Sequence, residues 1–552
     1  MKNWKKITLS AAAATLAALT LTACSSGGST SGSSSSDGSR NPKFAIPADI
    51  NTIDQSIATD QYSNTVIGNT NEGLARVNED GEAVPALAKT IDVSSDGLTY
   101  TITLRDGLKW SNGDALTAKD FVFSWQRGVD PATASEYAYL MTNLKNAQSI
   151  MDGKMDKSEL GVKAESDTKL IVTLEAPTPY LKFLFAQAIF MPENQSVVEK
   201  YGKQYGTSSD KMVYSGPYKF GDKDGWNGSN KEFTIVKNDN YYDAKSVKSK
   251  AIDIQVISDG QTAAELFKQD KIDLAFLNTT DLVKANKNDK AYTIFNQART
   301  DYLEYNQVDV PALKNQNIRE ALNLATNRQG VIDVAAPGST PATSFSPVGL
   351  SKTADGQDFA KYVKQDYTYD ADAAKKAWTA GLKELGTDKV TLSLEAASDL
   401  PISKSTAEYL KQNWEKNLPG LTVDLKLVPF KQRLEDSKNY NFDVVLSGWG
   451  GDYAEPTTFL NMFITGNSYN YGRFSSADYD TAYEKASTLP DVTDPAALDA
   501  DYKACETALF EGSYINPIDF QATPALMNTQ LKGFAFHSTG LNYDFKTVQW
   551  KK

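Results

Sequence analysis

Histidine is almost absent from this 552-residue chain: there is one, His537, and there are only two cysteines, Cys24 and Cys505. A single imidazole cannot build a His-rich metal centre or supply the usual general bases. Two cysteines exclude a disulfide framework, and they exclude any disulfide if Cys24 is used otherwise. Positive charge is also short, with 57 Lys and Arg against 69 Asp and Glu and a net charge of −12. Binding a phosphate backbone needs a basic footprint, so the chain is expected to bind no nucleic acid. No long apolar run reads as a membrane span. The patterns G-x-S-x-G, H-E-x-x-H and G-x-x-x-x-G-K-[ST] are missing, which removes the common hydrolase, metalloprotease and P-loop signatures. Carboxylate pairs are easy to find among so many acids and prove nothing. The expectation is a protein that is not an enzyme and carries no metal and no cofactor.

What is present begins at the amino terminus. Lys2, Lys5 and Lys6 precede a short apolar and small-residue core from Ile7 to Leu21, closed by Leu21-Thr22-Ala23-Cys24. That is the layout of a secretory signal. Leu-Thr-Ala-Cys resembles the bacterial lipobox, which implies cleavage before Cys24 and a diacylglyceryl group on it. Two acyl chains anchor stably where one would not. Cleavage would remove three lysines and take the net charge from −12 to −15. Ser25 to Ser39 is almost only Ser, Gly and Thr, a flexible tether.

Beyond the tether, 41% hydrophobic residues suffice for two or three cores. Phe44 to Asp54 reads as a strand and turn, and Ser63 to Leu74 as a helix. Leu98 to Leu104 alternates apolar residues with Thr, a half-buried strand. Thr117 to Asp120 has capping-box spacing ahead of Phe121, Val122 and Trp125 on one helical face. Later, Val390 to Leu394, Leu421 to Leu427 and Phe442 to Leu446 read as strands. Ser405 to Leu418 and Gln432 to Lys438 read as the helices between them. This β-α-β-α-β order demands a parallel sheet with right-handed crossovers. Ligands of such sheets lie beyond the carboxyl ends of the strands.

Gly448-Trp449-Gly450-Gly451-Asp452 occupies such an end. Glycines let another backbone approach, the Trp449 indole excludes water, and Asp452 places a negative charge beside it. Together they could hold an extended chain by its free α-ammonium. A Gly-rich turn with Asp452 as a local cap and Trp449 as core fits the same residues.

Asp96 to Gly113, followed by Thr117 to Arg127, strongly resembles the signature of the oligopeptide-binding proteins of ABC importers, the large extracytoplasmic solute-binding proteins. Further landmarks follow in the family's order at Leu160–Ala164, Ser215-Gly216-Pro217-Tyr218, Tyr305-Asn306 and Asn317–Leu322. The likeness spans residues 41–552. It implies an α/β, two-lobed, hinged periplasmic-binding-protein fold of the large class II-like type, with an additional small α+β domain. Residues 1–23 would be signal and 24–40 tether. Residues 41–78, 195–296 and 517–552 would form lobe I, 79–194 the small lateral domain, and 297–516 lobe II with the peptide amino-terminus site. The chain would cross between lobes near 296–306 and 515–520.

The resemblance also implies roles. Asp452 would bind the peptide α-ammonium, and Gly448 and Gly450 would extend the peptide as a strand. Trp449, Tyr137, Phe430 and Tyr302 would line side-chain pockets. Positions where short-peptide binders carry basic residues are Ser437 and Leu446 here, and Pro401 replaces a histidine. Lys438 is the one cation nearby, so the groups that would hold a ligand's carboxyl end are missing or changed. The implied partners are oligopeptides and ABC permease subunits with separate cytoplasmic ATPase subunits. The implied state is a monomer, lipid-anchored on the extracytoplasmic face of a cell membrane, at the surface of a Gram-positive cell. Two alternatives stay open: a surface receptor for one signalling peptide, and a binder of a non-peptide ligand on the same fold.

Overall fold

The chain enters its first sheet at Lys43–Ile46 (β1), where Phe44, Ala45 and Ile46 are all buried, as befits a strand covered on both faces. The computed structural model describes residues 40–551, so the expected signal, the Cys24 anchor and the tether up to residue 39 lie outside the described residues. Helix Gln61–Thr70 (α1) follows, with Asp60 accepting from the backbone N–H groups of Tyr62 and Ser63.

A small antiparallel sheet comes next, made of Ala88–Val93 (β2), Thr99–Leu104 (β3), Val162–Ser166 (β4) and Lys169–Thr173 (β5), in the order β2-β3-β5-β4. Strand β3 buries Tyr100, Ile102 and Leu104 while the threonines between them stay half-buried, the alternation its sequence carries. Helix Ala118–Val129 (α2) packs against this sheet. Its capping box is formed, with Asp120 Oδ2 accepting from the Thr117 N–H at 2.7 Å. Phe121 and Trp125 are fully buried in a core that gathers residues from Leu74 to Phe190.

Apart from three two-stranded pairs, the remaining strands make one mixed, eleven-stranded sheet. Tyr218–Phe220 (β6), Glu232–Lys237 (β7), Ala251–Val256 (β8) and Leu274–Phe276 (β9) gather around β1. Tyr292–Tyr305 (β10) is the longest strand. Val390–Ala397 (β11), Leu421–Val428 (β12) and Val444–Gly450 (β13) follow, separated by helices Pro401–Asn417 (α3) and Phe430–Lys438 (α4). Ile515–Met527 (β14) returns through the middle. The order is β12-β11-β13-β10-β14-β9-β1-β8-β7-β6, with Thr340–Pro341 beside β14. Strand β11 runs parallel to β12 and to β13, as the β-α-β-α-β pattern requires.

Strands β10 and β14 serve both halves of this sheet. Tyr292–Asn296 pairs with Ala522–Leu526 of β14. The register then breaks between Asn296 and Thr300, and Thr300–Glu304 pairs with Ile515–Phe520 on one side and with β13 on the other. One core lies around Phe44, Tyr218 and Ile254. Two more cover the faces of the other half, one around Leu394, Trp414 and Val444 and one around Tyr302, Phe345 and Phe459.

Three boundaries differ from expectation by about a helical turn or its equivalent. Helix α1 ends at Thr70 instead of Leu74, with Asn71 in extended backbone. Helix α3 starts at Pro401 instead of Ser405, because proline suits the first helical turn. Strand β13 does not stop at Leu446 but runs on through Gly448 and Gly450, because β10 supplies ladder partners as far as Arg299, opposite Gly450.

Candidate functional site

Strand β13 has two unequal edges. On one, β10 pairs with it from Val444 to Gly450. On the other, β11 pairs only with Val444 and Val445, then ends at Ala397 as the chain turns into α3. From Leu446 to Gly450 no described strand lies against that second edge. Its N–H and C=O groups are free to pair with an incoming extended chain, the geometry of β-augmentation.

The glycines differ in what they do. A Cβ at Gly448 would lie 2.2 Å from both Arg299 Nη2 and Asp301 Oδ1, so the close packing of that ion pair from β10 requires glycine. A Cβ at Gly450 would meet nothing within 4 Å, so its bareness leaves open space instead. Between them Trp449 donates from Nε1 to the Thr458 carbonyl at 2.7 Å and stands edge-on to Tyr469 at 5.2 Å.

Apolar side chains stand exposed around the same edge. Phe430, at the start of α4, is 40% exposed, and its N–H donates to Asp399 Oδ1 at 2.8 Å, which ties α4 to the turn after β11. Leu400 in that turn and Ile402 in the first turn of α3 are exposed too, as is Tyr469. Exposed apolar groups around an open strand edge mark a binding surface.

Asp452 closes the far end. Its N–H donates to Thr458 Oγ1 at 2.9 Å and its carbonyl accepts from Gln187 Nε2 at 2.9 Å. Burial pushes its carboxyl up to about pKa 6, and the Tyr139 hydroxyl bonded to it pulls the other way. Among the described residues no cationic side chain bonds to it or offsets that rise. A carboxylate withdrawn from water without a counter-charge is a receptor for one. The loop is held by Tyr453, whose ring stacks on Tyr180 at 4.3 Å and lies in the core of the small antiparallel sheet.

The structure therefore brings together Asp452, Trp449, Gly448 and Gly450, with Phe430 along the same edge. Tyr137 joins through Tyr139, edge-on at 5.9 Å, and its hydroxyl donates to the Thr59 carbonyl at 2.9 Å. Tyr302 it does not bring. That ring is 2% exposed, packed edge-on against Phe345 and Phe463, with its hydroxyl on Glu304. Its position on β10 points it into a core, away from the open edge. Tyr139 and Gln187 are absent from the sequence reading. Tyr139 had a faint signal, two residues after Tyr137 in a turn, whereas Gln187 had none.

The cation near the start of the open stretch is also a different one. Lys438 is exposed at the end of α4, whereas Arg433, one turn after Phe430, is buried and donates from Nη1 to Ser447 Oγ at 2.7 Å.

Comparison with known proteins follows the same lines. Residues 82–471 match the family model described as bacterial extracellular solute-binding proteins, family 5 middle. The dipeptide-binding protein of Lactococcus lactis subsp. cremoris is 61% identical over 520 residues, 93% of this chain and 94% of that one. Among solved structures, Listeria monocytogenes OppA bound to peptide is 36% identical, with a TM-score of 0.70 over 93% of this chain and 99% of that one. The unliganded open form of MppA, the periplasmic murein tripeptide binding protein, is 28% identical, with a TM-score of 0.79 over 92% of this chain and 97% of that one. The fold is thus the two-lobed α/β one of these solute-binding proteins.

Proposed function

Because this chain belongs to the bacterial extracellular solute-binding proteins of family 5, we propose that it captures peptides in extended form along the open edge of β13 and delivers them to an ABC permease. The observation that carries the proposal is Asp452, a partly withdrawn carboxylate without a counter-charge at the end of an unpaired strand edge. Backbone pairing along Leu446–Gly450 accepts any sequence, and the α-ammonium fixes the register. The exposed Phe430, Leu400, Ile402 and Tyr469 favour peptides with apolar side chains. ATP hydrolysis belongs to partner subunits, and the chain acts as a monomer and not as an enzyme. The lobe and lateral-domain boundaries are those given above, with hinges at the register break of β10 and its neighbour segment in β14.

Outside the described residues, Cys24 carries the lipid that holds the protein on the extracytoplasmic side of the membrane. Cys24→Ser should release it into the soluble fraction, and retention in membranes at the parent level would refute the anchor.

Calorimetry on four combinations tests the site: parent and Asp452→Asn, each with a free-amino peptide and its N-acetyl form. Each single change should weaken binding by about 2–5 kcal/mol, roughly 30- to several-thousand-fold. The two should not add, since each removes the same pair. Additive losses, or an acetylated peptide that binds as well as the free one, would place the amino terminus elsewhere.

A further inference from the structure

Strands β10 and β14 set two carboxyl groups face to face beside the register break. Asp301 and Asp519 are direct partners in the ladder, so their side chains leave the same face of the sheet with Cβ atoms about 4.5–5.5 Å apart. Like charges directly opposite one another are destabilising. Water screens them little here, because Asp519 is 2% exposed and the Asp301 side chain is mostly buried.

The surrounding groups neutralise only one of the two. Asp301 Oδ2 accepts from Gln521 Nε2 at 2.6 Å, and its Oδ1 stands 3.1 Å from Arg299 Nη2. Arg299 is the one cation among the described residues that pairs with Asp301 or acts on Asp519. From β13 the facing residue is Gly448, which brings no side chain, and the turn before Thr340–Pro341 brings the Ser339 hydroxyl to Asp519. One oxygen of each carboxyl, Asp301 Oδ1 and Asp519 Oδ2, is buried without a hydrogen bond. A proton removes the surplus charge and makes one carboxyl the donor and the other its acceptor. Burial, and then Asp301, hold the Asp519 carboxyl well above the usual carboxylate range, as this arrangement requires.

We propose that Asp301 and Asp519 share one proton and form a pH-sensitive latch between β10 and β14, on which closure of the lobes depends. This rests on the hinge and the peptide function proposed above. Arg299 lies in the hinge segment itself, since Gln297, Ala298 and Arg299 have no register partner in β14. It also stands opposite Gly450, along whose other edge a ligand strand would lie. Closure over that strand withdraws the cluster further from water, together with the Arg299 side chain, which is 39% exposed in this state. The closed state therefore holds the proton more tightly than the open one. By linkage, loss of the proton at alkaline pH favours the open cleft and weakens peptide capture. The proton passes between the pair and water, and no other bond is made or broken.

The test compares the parent with Asp519→Asn, which keeps the shape of a protonated carboxyl and cannot ionise. Thermal unfolding, and calorimetry with penta-alanine, run from neutral pH to about pH 10. A raised carboxyl contributes stability that is complete below about pH 4 and is lost as pH rises through its folded pKa. The parent should therefore lose thermal stability on the alkaline side, and Asp519→Asn should lose less. Peptide affinity should also fall more steeply in the parent, by up to about tenfold per pH unit. Titration of the peptide's own α-ammonium is common to both proteins and cancels. At neutral pH the infrared difference between them should show a protonated-carboxyl band belonging to the parent. Superimposable unfolding curves, or no such band, overturn the shared proton. A difference in stability with none in affinity overturns the link to closure. Should Asp519→Asn fail to fold, Asp301→Asn takes its place: it removes the repelling charge and should shift both alkaline limbs towards acid, and unshifted limbs overturn the pair. A parent that binds penta-alanine at no pH would overturn the peptide function and the link to closure with it, while unfolding and infrared still judge the proton.

Discussion

Asp452 holds its charge under strain. Burial raises its pKa to about 6, so the folded, ligand-free protein binds a proton there more readily than the unfolded chain does. That group's contribution to stability is therefore fully present below about pH 4 and is lost as pH rises through 6. Peptide affinity should move the opposite way, because an α-ammonium needs the ionised carboxylate. Below pH 6 the affinity of a free-amino peptide should fall towards about tenfold per pH unit. Asp452→Asn should flatten that acid limb, which separates it from other raised carboxyls such as Glu193 and Glu304. Calorimetry from pH 4.5 to 7.5 on both proteins checks this, and equal acid limbs would assign the proton to another group.

At the scale of the strand, β13 works because its two glycines solve different problems. Gly448→Ala would push a methyl into Arg299 and into Asp301, which Gln521 Nε2 holds at 2.6 Å. That should destabilise the fold by about 1–3 kcal/mol. Gly450→Ala meets open space in the ligand-free protein, so unfolding should change by no more than about 0.5 kcal/mol. Its methyl would instead stand where a ligand backbone approaches, and peptide affinity should drop. Chemical denaturation beside a peptide titration checks both. Equal stability losses in the two variants would mean that Gly450 is a structural glycine. The element itself was only partly legible. Phe442 to Leu446 reads as a strand from its apolar run, but the continuation through Gly448-Trp449-Gly450 depends on β10, more than a hundred residues away in sequence.

For the whole molecule, the two halves of the sheet are linked by β10 and β14, whose pairing shifts register between Asn296 and Thr300. A register break concentrates flexibility in a few residues, which is where a hinge belongs. Saturating peptide should then shrink the radius of gyration measured by small-angle scattering, and Asp452→Asn should need more peptide to do so. An identical scattering curve with and without peptide would mean that the cleft does not close.

Sequence alone determined what depends on neighbours a few positions apart. The alternation of β3, the capping box before α2 and the β-α-β-α-β order around Val390 to Leu446 are local patterns, and the structure carries all three. The cluster of Gly448, Trp449, Gly450 and Asp452 was visible for the same reason, being contiguous. Tertiary structure decided which face each side chain shows to a distant element. It buried Tyr302 among Phe345 and Phe463, set Tyr453 against Tyr180, and brought Gln187 to the carbonyl of Asp452, 265 residues away. It also turned Arg433, and not Lys438, towards the strand. Period and spacing say which residues share a face. The order of strands in the sheet, set by burial of several cores at once, says what that face meets.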